Sequence, residues 1–374
     1  MKPLVDINAH LLSGEAGYRR AGIHQYIFQV LANLPEDAFE YHVHTRYSEL
    51  ENGRSHLTKI NSSLPTEKRL TRILWEQTIW PFHLIKTRPA LVHGMAFATP
   101  WLASSPTVVT IYDLSFLHFP GQFPKLQQFY LATQARLACQ RAKRVITISE
   151  STRQDVHRYF DIPLDRIDVV FPGVDVVYQP YPQTAVSQFK AEKGINGRYI
   201  LHVGTLQPRK NIPTLLDAFA KLNEPDVQLL LIGGKGWLFE EIFAKVKLLN
   251  LEDNVTFTGY VPDEELPMWY AAADLLAFSS NYEGFGMPII EAMACGTPVV
   301  ASNSSSIPEA VGEAGLLFNT FDAENLAECM VNVLQNSELS DKMRQLGFAQ
   351  AKKFSWARAG RETAVSYQKA VQEL

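Results

Sequence analysis

Cysteine is scarce in this 374-residue chain: Cys139, Cys295 and Cys329 are an odd count, widely spaced, with no C-x-x-C pair. That excludes a disulfide framework and a cysteine zinc site, and it fits a reducing compartment. No run of about 18 uncharged apolar residues occurs, so no spanning helix is expected. The segment Met1–His10 has no positive stretch leading into an apolar one, so no secretory leader is expected and the cytoplasm is the expected location. A peripheral contact at the inner face of the membrane stays open, because it needs only a surface patch. Basic excess is also lacking: 35 Lys+Arg face 39 Asp+Glu, for a net charge of −4. Binding to nucleic acid through phosphate neutralisation is therefore disfavoured. There is no D-x-D, no H-x-x-x-H or H-E-x-x-H, no G-x-S-x-G and no P-loop, and the ten histidines are scattered along the chain. No metal site is expected from such a sequence.

What is present is ordinary globular composition, 46% hydrophobic and 20% charged, in a length that suits two domains. Residues 1–185 carry 19 basic and 16 acidic groups and the remainder 16 and 23, which suggests two bodies with different surfaces. Short apolar runs alternate with helical patterns. In the first half the expected strands are Leu4–Ile7, Tyr41–His44, Leu91–His93, Thr107–Ile111, Val145–Ile148 and Ile167–Val170. In the second they are Tyr199–Val203, Val227–Ile232, Val255–Thr258, Leu275–Phe278, Pro298–Ala301 and Gly315–Phe318. Several are apolar throughout, the mark of parallel strands buried on both faces. The alternation predicts an α/β protein of two doubly wound domains, 1–185 and 186–354, facing across a cleft.

Ligands of such sheets bind beyond the carboxyl ends of the strands, so the segments following strands carry the chemistry. Gly204-Thr205-Leu206-Gln207-Pro208-Arg209-Lys210-Asn211 follows one strand and leads into a helix that Asn211 is expected to cap. Two adjacent cations at a helix N-terminus suit a diphosphate, although basic loop residues are also common as plain solvated charges. Glu283-Gly284-Phe285-Gly286-Met287-Pro288 follows another strand, and Glu291 is placed in the first turn of the next helix. Carboxylates there suit sugar hydroxyls or a ribose diol, or else simply complement the helix dipole. The glycine-rich run Gly14–Ile23 could cradle phosphate or be a surface loop. After strand Thr107–Ile111 come Asp113 and His118, candidates for orienting a neighbour and for acid, base or hydroxyl-binding work, with a structural histidine as the alternative. His93-Gly94 is a weaker candidate of the same kind. Residues 68–80 are basic and aromatic at helical spacing. They could rest on anionic lipid, or pack Leu74, Trp75 and Ile79 against the sheet.

Taken in order, these segments resemble the family-4 retaining glycosyltransferases of the GT-B fold, bacterial polysaccharide mannosyltransferases among them. The resemblance runs nearly end to end. It rests on Val203–Asn211, Phe257-Thr258-Gly259-Tyr260-Val261, the E-x7-E segment from Glu283 to Glu291, Ala294–Ala301 and Pro308–Gly312. In the first half it rests on Gly22-Ile23, Thr147–Ser151 and Pro172–Asp175.

The resemblance implies sugar transfer from a GDP- or UDP-sugar, mannose first, to a hydroxyl of a glycan, lipid-linked or small-molecule acceptor, with retention and without a metal or other cofactor. It implies that Arg209 and Lys210 hold the donor diphosphate, Glu283 contacts sugar hydroxyls, Phe285, Gly286 and Met287 support sugar and phosphate, Glu291 binds ribose, and Tyr260 and Val261 lie by the base. Gly204 and Gly22 belong to loops near the phosphates. It implies too that residues 355–374 cross back onto the N-terminal body. Many relatives carry His-Asp where this chain has Tyr112-Asp113, which leaves Tyr112 or His118 for that histidine's role. The competing readings are a sugar-nucleotide isomerase or phosphorylase of the same fold, and a non-catalytic donor-binding subunit.

Overall fold

Fully apolar runs such as Leu275–Phe278 and Thr107–Ile111 form strands buried along their whole length, as parallel strands covered by helices on both faces must be. The computed structural model describes residues 2–12, 22–47, 50, 56–62, 64–222, 224–236 and 238–372. Of the glycine-rich segment Gly14–Ile23, only Gly22 and Ile23 fall within the described residues.

The chain divides into two compact units, Met1–Gly173 with Trp356–Leu374, and Val174–Ser355. Unit 1 holds β1 (Leu4–Asn8), β2 (Glu40–His44), β3 (Leu57–Ile60), β4 (Leu91–Gly94), β5 (Thr107–Ile111), β6 (Arg144–Thr147) and β7 (Ile167–Val169). They form one sheet in the order β3-β2-β1-β4-β5-β6-β7, with every pairing parallel. Unit 2 holds β8 (Arg198–Val203), β9 (Val227–Ile232), β10 (Val255–Gly259), β11 (Leu275–Phe278), β12 (Val299–Ser302) and β13 (Leu316–Phe318). These too are all parallel, in the order β10-β9-β8-β11-β12-β13. The winding direction reverses between β1 and β4 in one sheet and between β8 and β11 in the other. Those reversals open a crevice beyond the strand ends, where doubly wound sheets take ligands.

The sequence places the division at 185/186, whereas the contacts divide after Gly173. The reason is packing. Tyr178 lies edge-on to Tyr270, Phe189 edge-on to Trp269 at 5.0 Å, and Lys193 pairs with Glu265 at 2.6 Å, so residues 174–193 belong to unit 2. The chain enters and leaves unit 2 side by side, with Val174 bridging Ser355.

The final helix, Trp356–Gln372, belongs to unit 1. Its Tyr367 hydroxyl meets His93 Nδ1 at 2.7 Å, Lys369 pairs with Asp168 at 2.7 Å, and Trp356 packs edge-on to Tyr26. Gly360 allows the close approach, since a Cβ there would lie 2.0 Å from the Asn33 carbonyl oxygen.

β3 escapes the sequence reading, because Leu-Thr-Lys-Ile is a short edge strand of intermediate burial without an apolar run. Residues 68–80 are not one helix. Arg69–Gln77 and Ile79–Thr87 meet at Thr78, whose backbone leaves helical geometry. Trp75 and Trp80 are buried there, but Leu74 is 61% and Ile79 42% exposed, so those two do not pack on the sheet as the interior alternative requires. Among the described residues no helix is long and apolar enough to cross a membrane. The three cysteines are free thiols.

Candidate active site

The β8 end turns at Gly204, where a side chain would collide with Lys210, whose Cε lies 3.1 Å from the Cβ position. The chain then makes a single 3-10 turn, Pro208–Lys210, before the helix Ile212–Ala220 begins. The two cations therefore sit on this turn rather than in the helix. Asn211 does not cap the helix as expected. It is left-handed (φ 51°), offers no side-chain bond to the helix backbone, and accepts the Thr214 hydroxyl at 2.8 Å.

The segment after β11 clamps this turn. Ser279 Oγ donates to the Lys210 carbonyl and the Asn281 N–H to the Arg209 carbonyl, each at 2.8 Å. This fixes the two side chains against Glu283. Arg209 Nη1 donates to Glu283 Oε2 at 2.7 Å and to the Tyr282 carbonyl at 2.6 Å, while Lys210 Nζ donates to Glu283 Oε1 at 2.6 Å. Burial works against the Glu283 charge, but the Arg209 and Lys210 charges outweigh it and hold the carboxyl down to about 2. One buried carboxylate against two cations leaves a net positive site at the β8/β11 reversal.

A third strand end holds the carboxylate's backbone. Ser302 and Ser304 donate to the carbonyls of Ser280 and Asn281. Ser305 Oγ accepts the Glu283 N–H at 2.8 Å, and Ser306 Oγ donates to the Glu283 and Phe285 carbonyls at 2.9 and 3.1 Å. The sequence reading passes over these serines. Their signal was a serine run directly following a strand, β12, on the same edge of the sheet.

Phe285 is buried against Phe354, and Gly286 takes a left-handed turn (φ 108°) into the helix Met287–Cys295, whose N-terminus carries no side-chain cap. Glu291 is the fifth residue of that helix, so it lies in the second turn rather than the first; the first turn holds no acid. It is held separately from the cluster, accepting the Tyr270 hydroxyl at 2.9 Å. Burial raises its carboxyl to about 7, with help from the nearby Asp263 and Asp175 charges and against the Tyr270 bond. Tyr260 follows β10, 43% exposed and bonded to Asp263, with Val261 buried beside it.

In unit 1, Gly22 is left-handed (φ 62°) and starts the helix Ile23–Ala32. Tyr112 is buried, its hydroxyl donating to the Met95 carbonyl at 2.6 Å, so it is tied into the core. Asp113 Oδ1 accepts the Ser115 N–H at 2.8 Å and shapes the turn before Ser115–His118. His118 Nε2 is bonded to Asp155 at 2.8 Å. His93 is structural: fully buried, with both ring nitrogens bonded, to Tyr367 and Thr110, and held neutral by burial.

The polar group at the β1/β4 reversal is a different one. A cavity of about 60 Å³ is bordered there by Asn8, His10, Arg72, Glu76, Tyr130 and Gln134, among others. Asn8 donates to Glu76 at 2.9 Å, and His10 Nδ1 meets the Thr66 hydroxyl at 3.0 Å. Among the described residues, His10 Nε2 is buried without a hydrogen-bond partner. Burial first, then neighbouring positive groups, push the His10 ring down to about 3, so it is neutral. Nothing in the sequence singles out His10, because its partners come from residues 66–76.

Comparison with known proteins accords with this geometry. Residues 185–350 match the family "Glycosyl transferases group 1" and residues 20–178 match "Glycosyltransferase Family 4". The O-antigen chain mannosyltransferase B of Escherichia coli is 34% identical over 281 residues, 74% of each chain. The serotype-specific mannosyltransferase WbdA of Escherichia coli is 29% identical over 69% of this chain, which spans only 32% of that longer protein. Among solved structures, sucrose-phosphate synthase from Thermosynechococcus elongatus superposes over 100% of both chains (TM-score 0.81, 22% identity). HepE of Anabaena, in complex with UDP and glucose, superposes over 98% of this chain and 99% of its own (TM-score 0.75, 20% identity). Two doubly wound sheets of the GT-B fold, a cationic cluster at the second reversal and these relatives agree: the chain belongs to the family 4 (group 1) glycosyltransferases.

Proposed function

We propose that this glycosyltransferase moves mannose from a nucleoside-diphosphate mannose to a hydroxyl of a growing polysaccharide, with retention and without a metal ion. The observation that carries the reading is the Arg209–Lys210–Glu283 cluster. The mannosyltransferase relatives support the choice of sugar and acceptor class. Arg209 and Lys210 take the diphosphate and stabilise the charge that grows on it as the sugar leaves, supplying the positive charge a divalent ion would otherwise bring. Glu283 orients sugar hydroxyls, and Glu291, as a carboxylate, accepts the ribose diol.

Glu283 is too weak a base, at about 2, to take a hydroxyl proton at neutral pH. The bond from the anomeric carbon to phosphate oxygen breaks while the acceptor oxygen bonds on the same face, and the acceptor's proton passes to the leaving phosphate. The acceptor side is assigned to the β1/β4 cavity. At about 60 Å³ it admits a hydroxymethyl-sized group, and His10 Nε2 is available to it.

The acceptor end is lipid-linked and approached from an anionic membrane surface. Leu70, Leu74, Phe82 and Ile85 are 78%, 61%, 70% and 56% exposed on the two helices around Thr78, with Lys68 and Lys86 exposed beside them. Apolar groups flanked by cations suit such an interface.

A thermal-shift panel of nucleoside diphosphates and their sugar conjugates tests the donor, since binding to the folded state raises Tm. The mannose conjugate should give a shift that Arg209→Ala and Lys210→Ala abolish, and each variant should lose at least about tenfold in turnover, a charge-assisted contact being worth about 1.4 kcal/mol or more. Unchanged turnover in both variants sinks the phosphate assignment. Product NMR reads the anomeric configuration, and inversion overturns retention. Activity lost on treatment with EDTA at an unchanged Tm, and restored by magnesium or manganese, overturns metal independence. Cosedimentation with anionic but not zwitterionic vesicles, lost in Leu74→Glu/Phe82→Glu, tests the membrane reading.

A further inference from the structure

Beneath the helices Arg69–Gln77 and Ile79–Thr87, one face of the unit 1 sheet is polar where a doubly covered parallel sheet is ordinarily apolar. The β1/β2 register places Asp6 beside His42 and Asn8 beside His44. Residues paired in this way, and residues two apart, present their side chains to one face.

Asn8 is accounted for by its bond to Glu76, but Asp6 is not fully satisfied. Its Oδ1 accepts Trp80 Nε1 at 2.6 Å and meets His44 Nε2 at 2.8 Å, while Oδ2, in a fully buried residue, has no hydrogen-bond partner among the described residues. His83 Nε2 lies 3.3 Å from that oxygen without a hydrogen bond to it, and it too has no hydrogen-bond partner among the described residues. His42 Nδ1 is in the same state on the same face. A buried carboxylate oxygen and a facing imidazole nitrogen left unpaired is a costly arrangement. One cation between them would satisfy both.

We propose that Asp6, His44 and His83 form a binding site for a divalent transition-metal ion, with zinc the best match to two imidazoles and one carboxylate. Imidazole nitrogen with carboxylate oxygen suits zinc, at metal–ligand distances of about 2.1 Å, which set the edges of a tetrahedron at about 3.4 Å. The Asp6–His83 contact is 3.3 Å, and the three ligand atoms lie within 4.8 Å of one another. The Trp80 bond to Asp6 Oδ1 orients the carboxylate from outside, as partners of metal ligands commonly do. The ion pins β1, β2 and the helix Ile79–Thr87 together. It has a structural role in unit 1, apart from the Arg209–Lys210–Glu283 cluster in unit 2, and it does not depend on the transferase reading.

The test uses the full chain without a histidine tag, stripped by chelator and titrated with zinc chloride by calorimetry. One zinc per chain is expected, with a rise in Tm, and cobalt in its place should give the visible absorption of a four-coordinate site. His83→Gln is the main variant, because His83 is partly exposed and its loss should leave the fold intact by circular dichroism. His44→Gln is the second. Both should lose the stoichiometric zinc, the Tm rise and the cobalt band. Absence of stoichiometric uptake by the parent chain, or uptake that persists unchanged in both variants, overturns the site.

Discussion

Replacing Glu283 with glutamine keeps the shape of the cluster and removes the carboxylate charge that pairs with Arg209 and Lys210. Glu283 is 8% exposed, so solvent screens it little. Its carboxyl is held at about 2, against an ordinary 4.5. That difference corresponds to ~3 kcal/mol of stability at neutral pH, at about 1.36 kcal/mol per pK unit. Removing the carboxylate from the Arg209 and Lys210 pairs points the same way, since breaking a buried pair typically costs about 3–5 kcal/mol.

The sign follows from the depressed pKa. The contribution is complete above the unfolded value of 4.5 and disappears as pH falls through the folded value of about 2. For a unit the size of Val174–Ser355 the expected loss is roughly 6–12 °C in melting temperature. Differential scanning calorimetry of the parent and Glu283→Gln at pH 7 should show it in the transition of unit 2. Urea titrations at falling pH should show the gap closing below about 4.5. A gap under about 1 kcal/mol at pH 7, or one independent of pH, would refute the claim that the two cations hold an ionised Glu283. The same variant removes the carboxylate that competes with phosphate for both cations. It should bind pyrophosphate several-fold more tightly while transferring sugar at least about tenfold more slowly.

Glu291 titrates near 7 because it is buried, and donor binding that needs its carboxylate should weaken up to tenfold per pH unit below that value and level off above it. Calorimetry of donor binding across that range reads this, and a Glu291→Gln variant with the same pH profile would rule it out. In the free protein the sign is opposite: the raised pKa favours folding below 4.5, and that contribution is lost as pH rises through about 7. Tyr112→Phe should lower stability by about 1–3 kcal/mol by stranding the Met95 carbonyl, with turnover unchanged; a large fall in turnover at full stability would return Tyr112 to the chemistry. Gly360→Ala should cost about 1–3 kcal/mol and raise hydrogen exchange in Trp356–Gln372, because the new Cβ meets the Asn33 carbonyl; unchanged exchange would contradict that packing.

Most strands of both sheets were legible in the sequence, since a strand covered on both faces must be apolar throughout and its end must turn. Thr107–Ile111, Val227–Ile232 and Leu275–Phe278 carry the bounds expected of them. β3 was not legible, because an edge strand needs only partial burial and reads as a loop. Thr78 was not legible either, because the amphipathic spacing continues across the break. Arg209, Lys210, Glu283 and Glu291 stand out in the sequence because they follow strands within short, glycine-marked segments, and the structure brings the first three together.

By itself the sequence determined that the chain is α/β, wound twice, and which loops stand at the carboxyl ends of the strands. Periodicity and turn residues are local properties, and those features follow from them. Only the tertiary structure decided which charges meet. Glu283 sits 2.6 Å from Lys210 across 73 residues because β8 and β11 are neighbours, and that proximity turns two loop charges into a buried, fixed ionic cluster. It gave Glu291 to Tyr270 and tied Tyr112 to Met95. It drew Asp6, His44 and His83 from three separate elements onto one buried spot. Burial and charge coupling depend on spatial neighbours, which no one-dimensional spacing specifies.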